Sequence, residues 1–331
     1  MKPKKVLVTG VAGMLGSHFL DEILKKDYTV VGIDNLSFGK IDNIVHNLTN
    51  PRFRFFNIDV RDFEALKLVS EEVDIIVHFA AYKKICEKER SIQLVEINGN
   101  GTENIFKIAK SWGSKVIFAS TSDVYGMSEN LPLSEDCDLL IGPSMIKRWS
   151  YAVSKLYGEQ MAYAYYNDFG VPIVINRYFG GFSERSNFKW SGGHIPIFIR
   201  AILNNEEVII HGDGSQTRSM GYVKDLVNGT ILAMENENAV GEIINIGNNE
   251  ELSVLETANL IHSIADTGFK LKLRFVPFHK VFGGYKDITR RVPDLAKAKR
   301  LIGYEPKVKL IEAIKITINS VLENQKELCD S

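Results

Sequence analysis

Residues 4–35 read KKVLVTGVAGMLGSHFLDEILKKDYTVVGIDN, and the order of residue types in this stretch decides the fold. "KKVLVTG" is an apolar, β-branched run that stops at a glycine, the pattern of a buried strand. "MLGSHFLDEILKKD" then places Leu15, Phe19, Leu20, Ile23 and Leu24 at helical spacing, and "TVVGIDN" is a second apolar run. Between strand and helix lies G-x-x-G-x-x-G, formed by Gly10, Gly13 and Gly16. Glycines at such a turn let backbone amides and a helix N-terminus approach a pyrophosphate with no Cβ in the way, and Met14 and Leu15 open that helix. Asp34 follows the second strand, where a carboxylate accepts hydrogen bonds from both ribose hydroxyls of an adenosine and repels a 2′-phosphate. The implied cofactor is NAD rather than NADP.

Outward from this unit the alternation continues. "FRFFNIDV", a helix around "FEALKLVSE", "VDIIVHFAA", a helix through "ENIFKIAKSW", and "KVIFAS" follow in order. Strands with almost no polar alternation, joined by amphipathic helices, indicate a parallel sheet covered on both faces, an α/β doubly wound fold. After "VPIVINRYF" the rhythm breaks at the loop "GGFSERSNFKWSGGH", and the remaining helices and short strands read as a smaller, interleaved substrate domain. The expected division is 1–176 for cofactor binding and 177–331 mainly for substrate, with segments returning to the first domain.

Composition limits the partners. The chain has 331 residues, 40 Lys plus Arg against 41 Asp plus Glu, and a net charge of -1, so no overall positive field draws it to nucleic acid or an anionic membrane. Its apolar runs are too short to span a bilayer and its start leads straight into a strand, which makes the cytoplasm the expected location. Cys86, Cys137 and Cys329 lack the spacing of a disulfide framework or a zinc site, and no metal is expected.

The strand "KVIFAS" runs into "STSDVYG", Ser120–Gly126, and Tyr151 and Lys155 follow in "YAVSK", one helical turn apart. Open parallel sheets bind ligands off the carboxyl ends of their strands, so these hydroxyls and this acid face the cofactor. The Lys155 ammonium is expected to lower the Tyr151 phenol from its ordinary value of about 10, with Thr121 holding the substrate oxygen. A phenolate beside NAD is apparatus for taking a proton from an alcohol whose carbon loses a hydride. Arg218 in "GSQTRS" and Arg291 in "TRRVPD" sit in loop-like stretches, suited to a diphosphate.

These residues resemble the extended short-chain dehydrogenase/reductases that act on nucleotide sugars, the NAD-dependent epimerase/dehydratase group. The resemblance rests on "TGVAGMLGSH", "DNLSFGK", "HFAA", "NGNGTEN", "STSDVYG", "YAVSKLYGEQ", "RYFGGFSER" and "GDGSQTRSMGYVKDLV", nearly the whole chain. It implies a Rossmann-type sheet, a catalytic set of Thr121, Tyr151 and Lys155, and a nucleotide-sugar substrate, a UDP-sugar first among them. It also implies NAD contacts at Gly10, Gly13, Met14, Leu15, Gly16, Asp34, Asn35, Asp59, Val60, Ala80, Ala81 and Asn98. A homodimer through the helices of "ENIFKIAKSW" and "YAVSKLYGEQMAYAYY" is a further implication.

Within that group, Asp123 separates the chemistries. Simple 4-epimerases usually carry a small neutral residue there, and dehydratases and hexuronate decarboxylases an acid. Arg148 in "IGPSMIKRWSYAVSK" resembles UDP-glucuronate decarboxylases, Arg185 matches an arginine near the substrate carboxylate, and Ser122 is a further substrate contact. Gly180 stands where the group usually has a sugar-contacting asparagine, and Ser183 and Glu184 replace Gly-Pro; Trp190 and His194 belong to no familiar motif. Decarboxylation leads, and 4-epimerisation, 4,6-dehydration and a catalytically silent NAD-binding sensor or scaffold stay open.

Overall fold

The computed structural model describes residues 3–83, 91–188, 193–282 and 288–329. In chain order the first half gives β1 (Lys4–Thr9), α1 (Met14–Ile23), β2 (Tyr28–Ile33), β3 (Phe53–Phe56), α2 (Phe63–Val69), β4 (Ile75–His78), α3 (Ser91–Val95), α4 (Thr102–Trp112), β5 (Lys115–Thr121), α5 (Trp149–Phe169) and β6 (Ile173–Tyr178). The second half adds β7 (Gly181–Phe182), α6 (His194–Leu203), β8 (Val208–His211), β9 (Thr217–Ser219), β10 (Gly221–Tyr222), α7 (Val223–Glu235) and β11 (Glu242–Ile246). It ends with β12 (Glu251–Ser253), α8 (Val254–Ala265), β13 (Leu273–Val276), α9 (Phe278–Phe282), α10 (Ala296–Ile302) and α11 (Leu310–Cys329).

The main sheet has seven strands in the order β11-β6-β5-β4-β1-β2-β3. Every pairing in it is parallel. The order reverses at β1 and β4, which opens a crevice beyond their carboxyl ends. Alternate residues of one strand enter opposite cores: Val6 and Val8 pack with Phe19 and Leu20 of α1, and Leu7 packs with Ile76, Ile105 and Phe118. This two-sided burial is why the strands read as unbroken apolar runs. β11 shows how the later chain returns: it comes from the second half and closes the sheet beside β6.

The elements that carry the site are tied by a buried ion pair. Arg177 of β6 meets Glu159 of α5 at 2.7 Å, and Ser120 Oγ of β5 donates to the same carboxylate at 2.5 Å. Gly158 lets α5 lie on β5, because a Cβ there would meet Phe118 at 2.4 Å. The pair fixes the helix of Tyr151 against the strand of Thr121.

Cys86 and Trp190 lie outside the described residues, as does the side chain of Cys329. Cys137 is a half-buried free thiol, and no metal-holding cluster of His, Cys, Asp or Glu occurs among the described residues. None of their helices is long and apolar enough to cross a membrane.

Candidate active site

The turn after β1 is shaped by what its glycines exclude. Gly10 has φ +68°, and a Cβ on it would lie 2.8 Å from the Ala80 nitrogen. On Gly16 a Cβ would come within 2.1 Å of the Gly10 carbonyl oxygen, so only glycine brings α1 this close to the turn. Gly13 precedes α1 and offers no side chain to cap it, leaving the first amides of the helix to whatever lies in the crevice. Asp34 accepts from the Ala12 amide at 3.0 Å and the Leu36 amide at 2.8 Å. Burial pushes its carboxyl up, against the lowering by these two bonds. A cleft follows, lined by Gly10, Gly13, Asp34, Asn35, Val60, Ala80 and Ala81, with Ile58 and Ile97 as apolar walls. Uncapped amides, a carboxylate acceptor and apolar walls in this order fit a dinucleotide.

Two expected cofactor contacts have other engagements. Asp59 is held by Arg61 at 2.9 and 2.8 Å and by Asn35 at 2.8 Å. Its pKa falls to about 2, chiefly through the Arg61 hydrogen bonds, and its neighbours Ile58 and Val60 line the cleft instead. Asn98 is buried and clamps the backbone of Tyr82, accepting from its amide at 2.7 Å and donating to its carbonyl at 3.0 Å, while also reaching Ser154 of α5 at 2.9 Å. It sets the cleft wall from behind.

A second, larger cavity opens beside the first. Met14 and Leu15, Ala119 to Asp123, Arg148, Tyr151, Lys155, Arg218 and Arg291 all line it, so residues far apart in sequence converge. Tyr151 and Lys155 come from α5, and Thr121 ends β5 and accepts from the Asp123 amide at 3.2 Å. Lys155 Nζ donates to the Ala119 carbonyl at 2.7 Å. Burial, then Lys83, lower its pKa to about 7. Burial and Asp123 raise the Tyr151 phenol above its ordinary value. The Lys155 ammonium, expected to lower this phenol, is bonded to the strand carbonyl, and the Asp123 carboxylate opposes ionisation.

Asp123 is the electrostatic centre of the cavity. Lys83 lies 3.0 Å from its Oδ2, Arg148 3.0 Å and Arg291 2.6 Å from its Oδ1. Burial would raise its pKa, but the charges of Lys83, Arg148 and Arg291 hold it well below the usual carboxylate range. Three cations around one carboxylate leave a positive surplus. Arg291 keeps Nε and Nη2 buried without a hydrogen-bond partner, and Arg218 spends Nη1 on the carbonyls of Thr217 and Ile288, at 2.7 and 2.9 Å. Ser122 is buried on the same wall.

Arg185 takes a different place. It pairs with Asp21 of α1 at 2.7 Å and lines an adjoining cavity with Phe38 and Lys40, outside the group around Asp123. Glu184 accepts from Tyr222 at 3.1 Å, so the Ser183–Glu184 departure is built into loop anchoring on β10. Gly180 has φ +47°, and a Cβ there would meet Met220 Sδ at 2.7 Å. A larger residue there needs the Met220 side chain to move aside. Lys83, unmarked by any motif in the sequence, is the main residue that the sequence reading missed; it follows "HFAAY" and nothing local announces its partners.

A family model described as GDP-mannose 4,6 dehydratase matches residues 7–317. Among curated relatives, the UDP-N-acetyl-alpha-D-glucosaminuronate decarboxylase of Bacillus cytotoxicus is 38% identical over 317 residues, 95% of this chain and 97% of the relative. The chain belongs to this nucleotide-sugar epimerase/dehydratase family. UDP-glucuronic acid decarboxylase 1 of Danio rerio is 36% identical, over 95% of this chain and 72% of that protein. Among solved structures, the UDP-glucuronic acid 4-epimerase of Bacillus cereus, in complex with UDP-glucuronic acid and NAD, superposes with a TM-score of 0.87 at 31% identity, covering 97% of this chain and 99% of that one. Like those family members, this chain is an enzyme of nucleotide sugars that depends on NAD.

Proposed function

We propose that the protein decarboxylates a UDP-hexuronate through a 4-keto sugar. The observation that carries this reading is the ionised Asp123 under three cations, on the same wall as Thr121 and Tyr151. A 4-epimerisation only needs the sugar to turn and take its hydride back. Nothing in it calls for an ionised acid among surplus cations beside the reacting carbons.

Thr121 and Tyr151 meet the sugar C4 oxygen, and Tyr151 takes its proton as C4 is oxidised. NAD, held by the turn at Gly10–Gly16 and by Asp34, would supply the hydride acceptor for the first step and the hydride donor for the last. With a ketone at C4, the C5–C6 bond can break: carbon dioxide leaves, the electron pair spreads onto the C4 oxygen, where the Tyr151 hydroxyl donates, and a proton from water at C5 then restores the ketone. Arg291, with two unpartnered donors, binds the C6 carboxylate. Asp123 stays an anion and cannot donate a proton in this state; its charge opposes a second carboxylate beside it, a repulsion that loss of carbon dioxide relieves. Arg218 serves the nucleotide diphosphate, and Arg185 acts through the loop that it anchors to α1.

Residues 177–331 act as the substrate-side domain, supported by Arg218 and Arg291, which reach the cavity from there. The assembly we propose is a cytoplasmic homodimer through α4 and α5. Val153 and Tyr157 of α5 are about half exposed, at 48% and 57%, and Trp112 of α4 is exposed as well, apolar surface of the kind an interface covers.

Purified protein with UDP-glucuronate, UDP-N-acetylglucosaminuronate and neutral UDP-, dTDP- and GDP-hexoses, analysed by mass spectrometry, tests the reaction. Loss of carbon dioxide from a hexuronate is the expected result. An unchanged mass with inverted C4 replaces the proposal by epimerisation, and loss of water by dehydration. Retained NAD without turnover leaves a silent binding protein.

A further inference from the structure

Lys83 touches both halves of the chemistry. Its ammonium lies 3.0 Å from Asp123 Oδ2 and 4.8 Å from the centroid of the Tyr151 ring. Three elements meet at this point: the loop after β4 brings Lys83, the turn after β5 brings Asp123, and α5 brings Tyr151. Asp123 creates a conflict there. An anion near the phenol raises the cost of the phenolate that must form when the sugar hydroxyl gives up its proton. Lys155 does not resolve it alone, since its ammonium is bonded to the Ala119 carbonyl.

A cation over an aromatic face is attracted by the ring, and the attraction grows when the ring carries the negative charge of a phenolate. Lys83 occupies that position while neutralising Asp123 at the oxygen it touches. Arg148 and Arg291 approach the other oxygen, Oδ1, so cations hold the carboxylate at both ends.

We propose that Lys83 is a positioning residue that fixes Asp123 beside Tyr151 and screens the phenol from that carboxylate, so that one cavity holds both a base for oxidation and an ionised acid for the step after it. This rests on the oxidation-first chemistry proposed above, and not on its decarboxylating end.

The test compares Lys83→Met, which keeps the length of the stem, with Lys83→Arg, which keeps the charge. The readout is the rate at which bound NADH forms after rapid mixing with the nucleotide sugar, followed from neutral to alkaline pH. Tyr151 faces Asp123, Lys83 and Lys155, and the alkaline-going rise of this rate reports its ionisation among them. Lys83→Met should slow NADH formation by about tenfold to a hundredfold and move the rise to higher pH, with NAD content and Tm unchanged. Lys83→Arg should recover most of the rate. Adding Asp123→Asn to Lys83→Met should return the rise toward its original pH, because no anion remains to be screened.

A wild-type rate with an unmoved pH profile in Lys83→Met overturns the proposal. So does equal impairment of the Met and Arg variants with a lowered Tm, which would mean packing alone, or a double variant whose rise stays displaced. NADH formation precedes any loss of carbon dioxide, so a failure here is distinct from a failure of the decarboxylase reading.

Discussion

The turn at Gly10–Gly16 and the cavity around Asp123 solve binding problems by opposite means. The first uses backbone: three glycines, an uncapped helix start and one acid, all within residues 10–34. The second uses long side chains from distant places, Lys83, Arg148 and Arg291, meeting on one buried carboxylate. A backbone cradle serves a cofactor shared by many chemistries, because amides carry no side-chain identity to vary. A cage of charged side chains can change one residue at a time, and the choice among reactions of a 4-keto sugar depends on it.

The largest expected effect lies where the two regions meet. Tyr151→Phe keeps the buried ring and removes the proton acceptor, so NADH formation should fall by about two decades or more while bound NAD is unchanged. Near-normal NADH formation in that variant would separate the two regions altogether.

Asp123→Asn comes next and breaks the cage. The first hydride transfer should persist and the later step slow by about tenfold to a hundredfold, so bound NADH accumulates on adding substrate. Normal turnover with no trapped NADH would favour epimerisation. The variant also leaves three cations without their anion, and a lower Tm is expected. Because the Asp123 pKa is depressed in the fold, its stabilising contribution is present above the ordinary carboxylate range and is lost as pH falls toward the lowered value. Asp123→Asn should flatten the acid side of the stability curve, read from Tm against pH.

Asp34→Ala tests the cradle. Losing a charged acceptor costs roughly 1.5–3 kcal/mol, which predicts NAD affinity weaker by about one to two decades in direct titration. The preference over NADP should narrow; wild type preferring NADP would refute the assignment. Smallest is Asp59→Asn. Asp59 bonds to Arg61 and Asn35 rather than lining the cleft, so NAD affinity should change by less than about twofold. A large loss would return Asp59 to the adenine site.

The sequence by itself determined the sheet, because burial on both faces demands unbroken apolar strands: "TVVGI" lies in β2 and "KVIFAS" in β5. It determined the cofactor turn for the same local reason, since a close approach of backbones admits only glycine at Gly10 and Gly16. The pairing of Tyr151 and Lys155 was legible from helical spacing, but their electrostatic state was not. That depends on burial, on the Ala119 carbonyl and on Asp123, none of which spacing reports. Arg185 shows the limit from the other side: motif position placed it at the substrate, and the fold gave it Asp21 as a partner. Lys83 carries no signal in its own neighbourhood, and Arg291 stood out as a loop arginine with nothing near it to announce Asp123. Only tertiary structure brings Lys83 and Arg291 to Asp123, because a charge acts through space on whatever the fold sets within a few ångströms, and sequence separation does not enter that energy.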